Sequence, residues 1–260
     1  MRSRLLSLAR HRLAAPALGL AAAHHSSQPQ QCRSWFGGEQ PEAHFHLRYF
    51  DARGVAETSR LLVVLGGAQE RFTDERWPLD FSKPRDEMAP GMAAARAQGL
   101  LAANLDRAPV LVVDGKHEIG QSKSIERFLA KKLGLLGGDD IEAAKIDMFT
   151  EHVRDLKDKY QQAKRVAKRE TLAAFFSTTM PTFLQKMERV CTGDGGGPLV
   201  GSKLSLADVA LFVLITDYFD NKEGAKEALR DCPKLAASVE AVGAQPAIGA
   251  YLAQRPVTPV

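Results

Sequence analysis

Residues 46–60 read HLRYFDARGVAETSR, and the fold is decided there. The run from His46 to Phe50 alternates as a half-buried strand does. Asp51-Ala52-Arg53-Gly54 breaks the alternation. Apolar residues then recur at helical spacing (Val55, Leu61, Leu62, Leu65) until Gly66-Gly67 stops them. A strand over 44–50 therefore passes through an arginine-glycine turn into a helix over 55–66. A tyrosine, Tyr49, stands at the end of that strand.

Working outward, a second short strand is expected around Arg71 to Trp77. PVLVVDGKHEIGQSKSIERFL then supplies a strand, an Asp114-Gly115 hairpin turn, another strand and a helix from about Ser122. Strand–helix–strand units ending in a hairpin imply a small mixed sheet with helices packed on it. Residues 82–104 fit this scheme only as an inserted helical excursion with a break at Pro90-Gly91. LGLLGGDD, residues 133–140, is a linker, and no strand signal follows it. A long helix begins at Ile141 with Ile146, Phe149 and Val153 in phase, and further helices are expected over 171–191, 205–219 and 234–243. The pattern predicts an α/β domain over 44–134 and an all-helical domain over 140–253.

The chain has 260 residues, 45% hydrophobic and 25% charged, which is globular composition. Its formal charge of +4 is misleading. Residues 1–38 hold five arginines and no Asp or Glu, leaving 30 basic against 31 acidic residues beyond them. A nearly neutral body argues against a nucleic-acid partner. The Arg-rich segment 1–40, without Asp or Glu up to residue 38, has the composition of an organelle transit peptide, mitochondrial in preference to plastid. Its apolar run from Leu13 to Ala23 contains Pro16 and is too short to span a bilayer. Cys32, Cys191 and Cys232 form no metal-binding spacing. His44 and His46 share a strand face without a third ligand, so no metal is expected. The Lys/Arg pattern over 154–169 is interleaved with acids and reads as a solvated helix face. GDGGGPLVGSK lacks the Gly-Lys-Ser/Thr order of a phosphate loop.

YFDARGVAETSRLL, WP, APVLVVDG, GQSKSIERFLAKKLGLLG and LVGSKLSLADVALF follow one another as they do in cytosolic-type glutathione transferases. The chain resembles that family over most of residues 44–250, most closely its sigma- and mu-like tyrosine classes. The resemblance implies a thioredoxin-like N-terminal domain and a helical-bundle C-terminal domain. It implies conjugation of glutathione, a cosubstrate and not a bound cofactor, to a hydrophobic electrophile held in an apolar pocket near helix residues 149–160. It also implies a homodimer. A glutathione-dependent isomerase or peroxidase, and a non-catalytic glutathione-binding subunit, are the alternatives.

A phenol at a strand's end can reach a ligand while its ring stays packed, and its O–H donates to a developing anion. The family's equivalent of Tyr49 donates to the glutathione sulfur and so favours the thiolate. Arg53 resembles the family arginine that supports this pair; otherwise it is a helix-start arginine in an ion pair, with Glu57 as one partner. Pro109 opens a strand, where proline needs a special setting. It resembles the family's cis-proline, with Ala108 pairing through its backbone to the cysteinyl part of glutathione. Gln121 and Ser122 precede a helix whose N-terminus favours an anion, and Ser122 can cap it. In the family this pair takes the γ-glutamyl carboxylate. By resemblance Trp77 and Lys83 approach the glycyl end, and Glu151 or Asp155 comes from a neighbouring subunit. Ser205 and Asp208, in LSLAD, read as a capping box that serves folding.

Overall fold

The computed structural model describes residues 42–84, 87–166, 168–193 and 196–258. The transit-peptide expectation lies outside them. Strand β1, Phe45–Phe50, buries Phe45, Leu47 and Tyr49 on one face and leaves His46, Arg48 and Phe50 on the other. Helix α1, Glu57–Leu65, crosses to β2, Phe72–Trp77, which runs parallel to β1. Strands β3, Val110–Val113, and β4, His117–Gly120, complete a sheet of order β2-β1-β3-β4 in which β3 is antiparallel to β1 and to β4. The β3–β4 turn places Asp114 at φ 54° and Gly115 at φ 64°, the pair of left-handed residues that an Asp-Gly hairpin uses. Helix α3, Ser122–Lys132, packs back against α1 and the sheet.

Segment 82–104 is built into this domain. Helix α2, Pro90–Ala97, connects β2 to β3, and Trp77, Ala95, Leu101 and Val110 form a second small core beneath it. Pro90 stands at the start of the helix and does not break it, because the first helical N–H needs no partner there.

The helical domain begins with α4, Asp140–Arg165, whose N-cap Asp139 accepts from the N–H groups of Ile141 and Glu142 at 2.8 Å. Ile146, Phe149 and Val153 are buried as the spacing predicts, but Ile141 is exposed in the first turn. The helix ends at Arg165, and α5, Arg169–Ala174, continues through a π-helical turn, Phe175–Thr179, into α6, Met180–Arg189. Helix α7, Leu206–Val213, runs into a second π-helical turn, Leu214–Tyr218. Beyond the expected α9, Pro233–Gly243, lie two helices that periodicity did not reveal: α8, Lys222–Glu227, and α10, Pro246–Gln254.

Helix α1 explains how the two parts are joined. Every residue from Glu57 to Val64 is buried, because α1 lies between the sheet side and helices α3, α7 and α10. Leu61, Leu62 and Val63 are fully enclosed, and each such side chain contributes about 1.5–3 kcal/mol. Val55, expected inside the helix, sits in the turn before it and is exposed. The expected capping box is present at α7. Asp208 Oδ2 accepts from Ser205 N–H and Oγ, while its Oδ1 accepts from Leu199 N–H and from Ser238 Oγ at 2.7 Å. Burial raises the Asp208 pKa against those four donors.

Candidate functional site

Strand register alone gathers much of the expected site. Arg48 pairs with Val110 and Val110 with Gly120, so one step further along the sheet Tyr49, Pro109 and Gln121 fall side by side. The Ala108–Pro109 peptide is cis. Asn104, absent from the sequence expectations, ties the two loops together: its Nδ2 donates to Pro109 O at 2.9 Å, and its Oδ1 accepts Gln121 N–H at 3.1 Å. It is buried, and no periodicity distinguishes it from any other loop asparagine. Ser122 is not the cap of α3. Gln121 holds that position at φ 66°, and no side chain caps the helix, so Ser122 is its first residue. The first-turn N–H groups of α3 thus lack a side-chain cap at this edge of the sheet.

Tyr49 is 7% exposed, and its hydroxyl accepts the Val55 N–H at 3.4 Å. That bond uses a lone pair and leaves the phenolic proton to be donated. Burial raises its pKa, while the Val55 N–H and the Arg60 charge pull the other way. Near neutrality the group is therefore a donor and not a base. The hydroxyl lies directly against Gly54: a Cβ there would come within 2.5 Å of it, and the residue's φ is +45°. Only glycine fits both constraints.

The arginine near Tyr49 is Arg60, whose Cζ is 5.9 Å from the ring centroid. Arg53 instead turns towards the helical domain. It meets Asp217 at 3.3 Å and donates to Thr258 O at 3.2 Å, so the contact expected with Glu57 goes to a different carboxylate. Glu57 is held by Arg255 at 2.6 Å and by Arg60 at 3.4 Å. The pairings with Asp217 and Arg255 are not legible in spacing, because those residues lie more than 150 positions from Arg53.

Gly54 and Arg53 form one wall of a cavity of about 470 Å³ shared with the helical domain. Tyr160, Lys164, Tyr218 and Lys222 line it as well. The pocket is not the apolar one expected near 149–160: aromatic rings and charges line it together. Tyr160 packs edge-on to Phe219 at 4.9 Å and donates to Asp220 at 2.9 Å. Both π-helical turns deliver rings to this cluster, Phe175 and Phe176 from one and Tyr218 from the other. The basic face of α4 is only partly solvated. Lys157 lies 4.9 Å over the Tyr218 ring, and burial, helped by the Lys123 charge, pushes its pKa down to about 8.

Trp77 pairs with Phe50, next to Tyr49, and the other expected residues lie on neighbouring elements. Trp77 is buried in the small core and gives its indole N–H to Glu75 at 2.9 Å. Lys83 is exposed on the loop after β2. Glu151 is bound by Arg127 of α3 and Arg154, whereas Asp155 is exposed. His44 meets Thr73, and His46 meets Glu75 at 2.9 Å. Among the described residues no three His, Cys, Asp or Glu side chains gather as a metal site would require, and no helix is long and apolar enough to cross a membrane.

A family model described as the glutathione S-transferase C-terminal domain matches residues 146–255. Glutathione S-transferase S1 of Drosophila melanogaster is 32% identical over 225 residues, covering 83% of this chain and 80% of that protein. The chain belongs to the glutathione S-transferase family. A glutathione S-transferase of Dirofilaria immitis is likewise 32% identical, covering 81% of this chain and 93% of its own length. Among solved structures, the monomeric glutathione S-transferase Na-GST-3 of the hookworm Necator americanus superposes with a TM-score of 0.67 at 27% identity, over 84% of this chain and all of the hookworm chain. The mixed sheet followed by a helical domain is the fold of this family, and the protein is a transferase with glutathione as cosubstrate.

Proposed function

We propose that the protein conjugates glutathione to small electrophiles through a thiolate held by the Tyr49 hydroxyl, in the manner of the sigma- and mu-like tyrosine classes. The observation that carries this reading is the meeting of Tyr49, cis-Pro109 and Gln121 at one end of the sheet, with Gly54 placing the phenol against the cavity wall. The uncapped start of α3 at Gln121-Ser122 takes the γ-glutamyl carboxylate, since free N–H groups and the helix dipole favour an anion. The Ala108 backbone pairs with the cysteinyl residue. Trp77, paired with Phe50 beside Tyr49, and Lys83 on the loop that follows are the residues proposed for the glycyl end of glutathione.

The phenolic proton stabilises the cysteinyl sulfur as thiolate, and the thiol proton leaves to solvent. The sulfur lone pair then forms a C–S bond to the electrophilic carbon. With a chlorinated dinitroarene, chloride departs with the C–Cl electron pair. The rate gain comes from a larger thiolate fraction and from holding both reactants in one cavity.

Tyr49→Phe tests this. Conjugation should fall roughly 10²-fold in kcat/KM, the scale of losing one pre-positioned donor, with glutathione affinity largely kept. The ultraviolet absorbance of bound thiolate should titrate at higher pH in the variant. An unchanged thiolate titration would remove Tyr49 from the mechanism.

The Arg-rich segment 1–40 is proposed to direct mitochondrial import, which its fusion to a fluorescent protein would reveal. Assembly as a homodimer is proposed with Asp155 as the acid lent to the neighbour, since Glu151 is already bound by two arginines. The hookworm relative is monomeric, so the mass in solution decides.

A further inference from the structure

The charge network that reaches the cavity through Glu57, Asp217, Arg53 and Lys222 holds one more cation than carboxylate. Arg76 bridges Asp51 and Asp74, Arg60 bridges Asp74 and Glu57, and Arg255 bridges Glu57 and Asp217. Asp217 is then met again by Arg53 at 3.3 Å and by Lys222 at 3.9 Å. Five cations thus share four carboxylates in this connected set. Lys164, which also lines the cavity, is neutralised separately by Asp220 at 2.8 Å.

Lys222 is the one left over. Asp217 already takes two hydrogen bonds from Arg255 at 2.9 Å, and Lys222 approaches it only at ion-pair range while donating to the Thr216 carbonyl. Burial lowers the Lys222 pKa, and the Arg53 and Arg255 charges lower it further against Asp217 and Asp220. Arg53, on the same wall, has a buried Nε that meets no acceptor among the described residues. A lysine crowded by two guanidinium groups, beside an unused buried N–H, is stabilised by an arriving anion.

The geometry points to an electrophile that is itself anionic: a planar, aromatic-sized molecule bearing a carboxylate, its ring against Tyr160 and Tyr218 and its charge on Lys222 and Arg53. This deepens the proposed transfer reaction and rests on it. Lys222 and Arg53 are specificity residues here, with Tyr49 left to the sulfur.

The probe is 4-chloro-3,5-dinitrobenzoate set against its methyl ester, each conjugation rate being divided by the uncatalysed rate with glutathione so that intrinsic reactivity cancels. The enhancement should be larger for the acid. Lys222→Gln should lower the acid-to-ester ratio about tenfold, the lower end of what a hydrogen bond to a charged group is worth, and Lys222→Arg should keep it. Equal enhancement of acid and ester by the wild-type enzyme would overturn the inference while leaving the transferase reading intact. So would an equal loss for both substrates in Lys222→Gln, or a rise in glutathione KM alone, which would assign the lysine to the tripeptide. Conjugation of neither compound would remove the transfer reading and this inference with it.

Discussion

At the scale of single residues, the smallest side chain sets the position of the Tyr49 phenol. Gly54 has φ +45°, and its missing Cβ is the space in which the Tyr49 hydroxyl sits. Gly54→Ala should therefore act twice, through backbone strain of about 1–2 kcal/mol and by pushing the hydroxyl off its position. Conjugation is expected to fall at least tenfold, with lower thermal stability. The double variant Gly54→Ala/Tyr49→Phe should regain part of that stability, because the atom at 2.5 Å is removed and the remaining ring contacts start at 3.1 Å. Calorimetry on the three variants checks this; no recovery in the double variant would mean that strain alone acts. Tyr49, Pro109 and Gln121 were singled out by the resemblance of the motifs that carry them, and each lies at or next to the end of a strand. Arg60, Asn104, Asp217 and Lys222 were not singled out. Their roles depend on which side chain each meets across the fold, and a single sequence carries no record of that.

At the scale of elements, local chemistry was readable wherever an element contains its own explanation. The Asp-Gly hairpin and the Ser205–Asp208 box follow from residues within a few positions of one another, whereas the Asp139 cap of α4 fell in what read as a linker. Helices α8 and α10 were missed because they are short and lack a long apolar stripe. The two π-helical turns were missed because an extra residue in a helix leaves the composition unchanged. Asp208 does more than a cap: it also receives Leu199 N–H and Ser238 Oγ from neighbouring segments, so four donors depend on one buried carboxylate. Asp208→Ala should leave buried donors unpaired and cost about 3 kcal/mol, or roughly 6–12 °C in Tm for a body of this size. Asp208→Asn, which keeps one acceptor oxygen, should lose less. Matched thermal melts decide, and a shift below 2 °C in the alanine variant would show that solvent replaces the carboxylate.

At the scale of the whole molecule, the sheet and the helical domain are joined through charge as well as apolar packing. Helix α1 is buried on all sides, so its polar residues Glu57 and Arg60 had to find partners, and they found them in both parts of the structure. Asp217 is the helical domain's end of this set. Burial alone would raise its pKa, but Arg255 above all, with Lys222 and Arg53, holds it below the usual carboxylate value. A folded pKa below the unfolded one contributes stability above about pH 4, and that contribution is lost as pH falls through the folded value. Asp217→Asn should accordingly cost about 3 kcal/mol at pH 7, because it removes the only carboxylate of Arg53 among the described residues and leaves Arg255 with Glu57 alone in a mostly buried setting. Between pH 4 and pH 2 the wild-type protein should lose this advantage and converge on the variant. Urea unfolding of both proteins across that range measures the difference directly. A gap that stayed constant with pH would mean that Asp217 acts by shape and hydrogen bonding, and that its charge does not hold the two parts together.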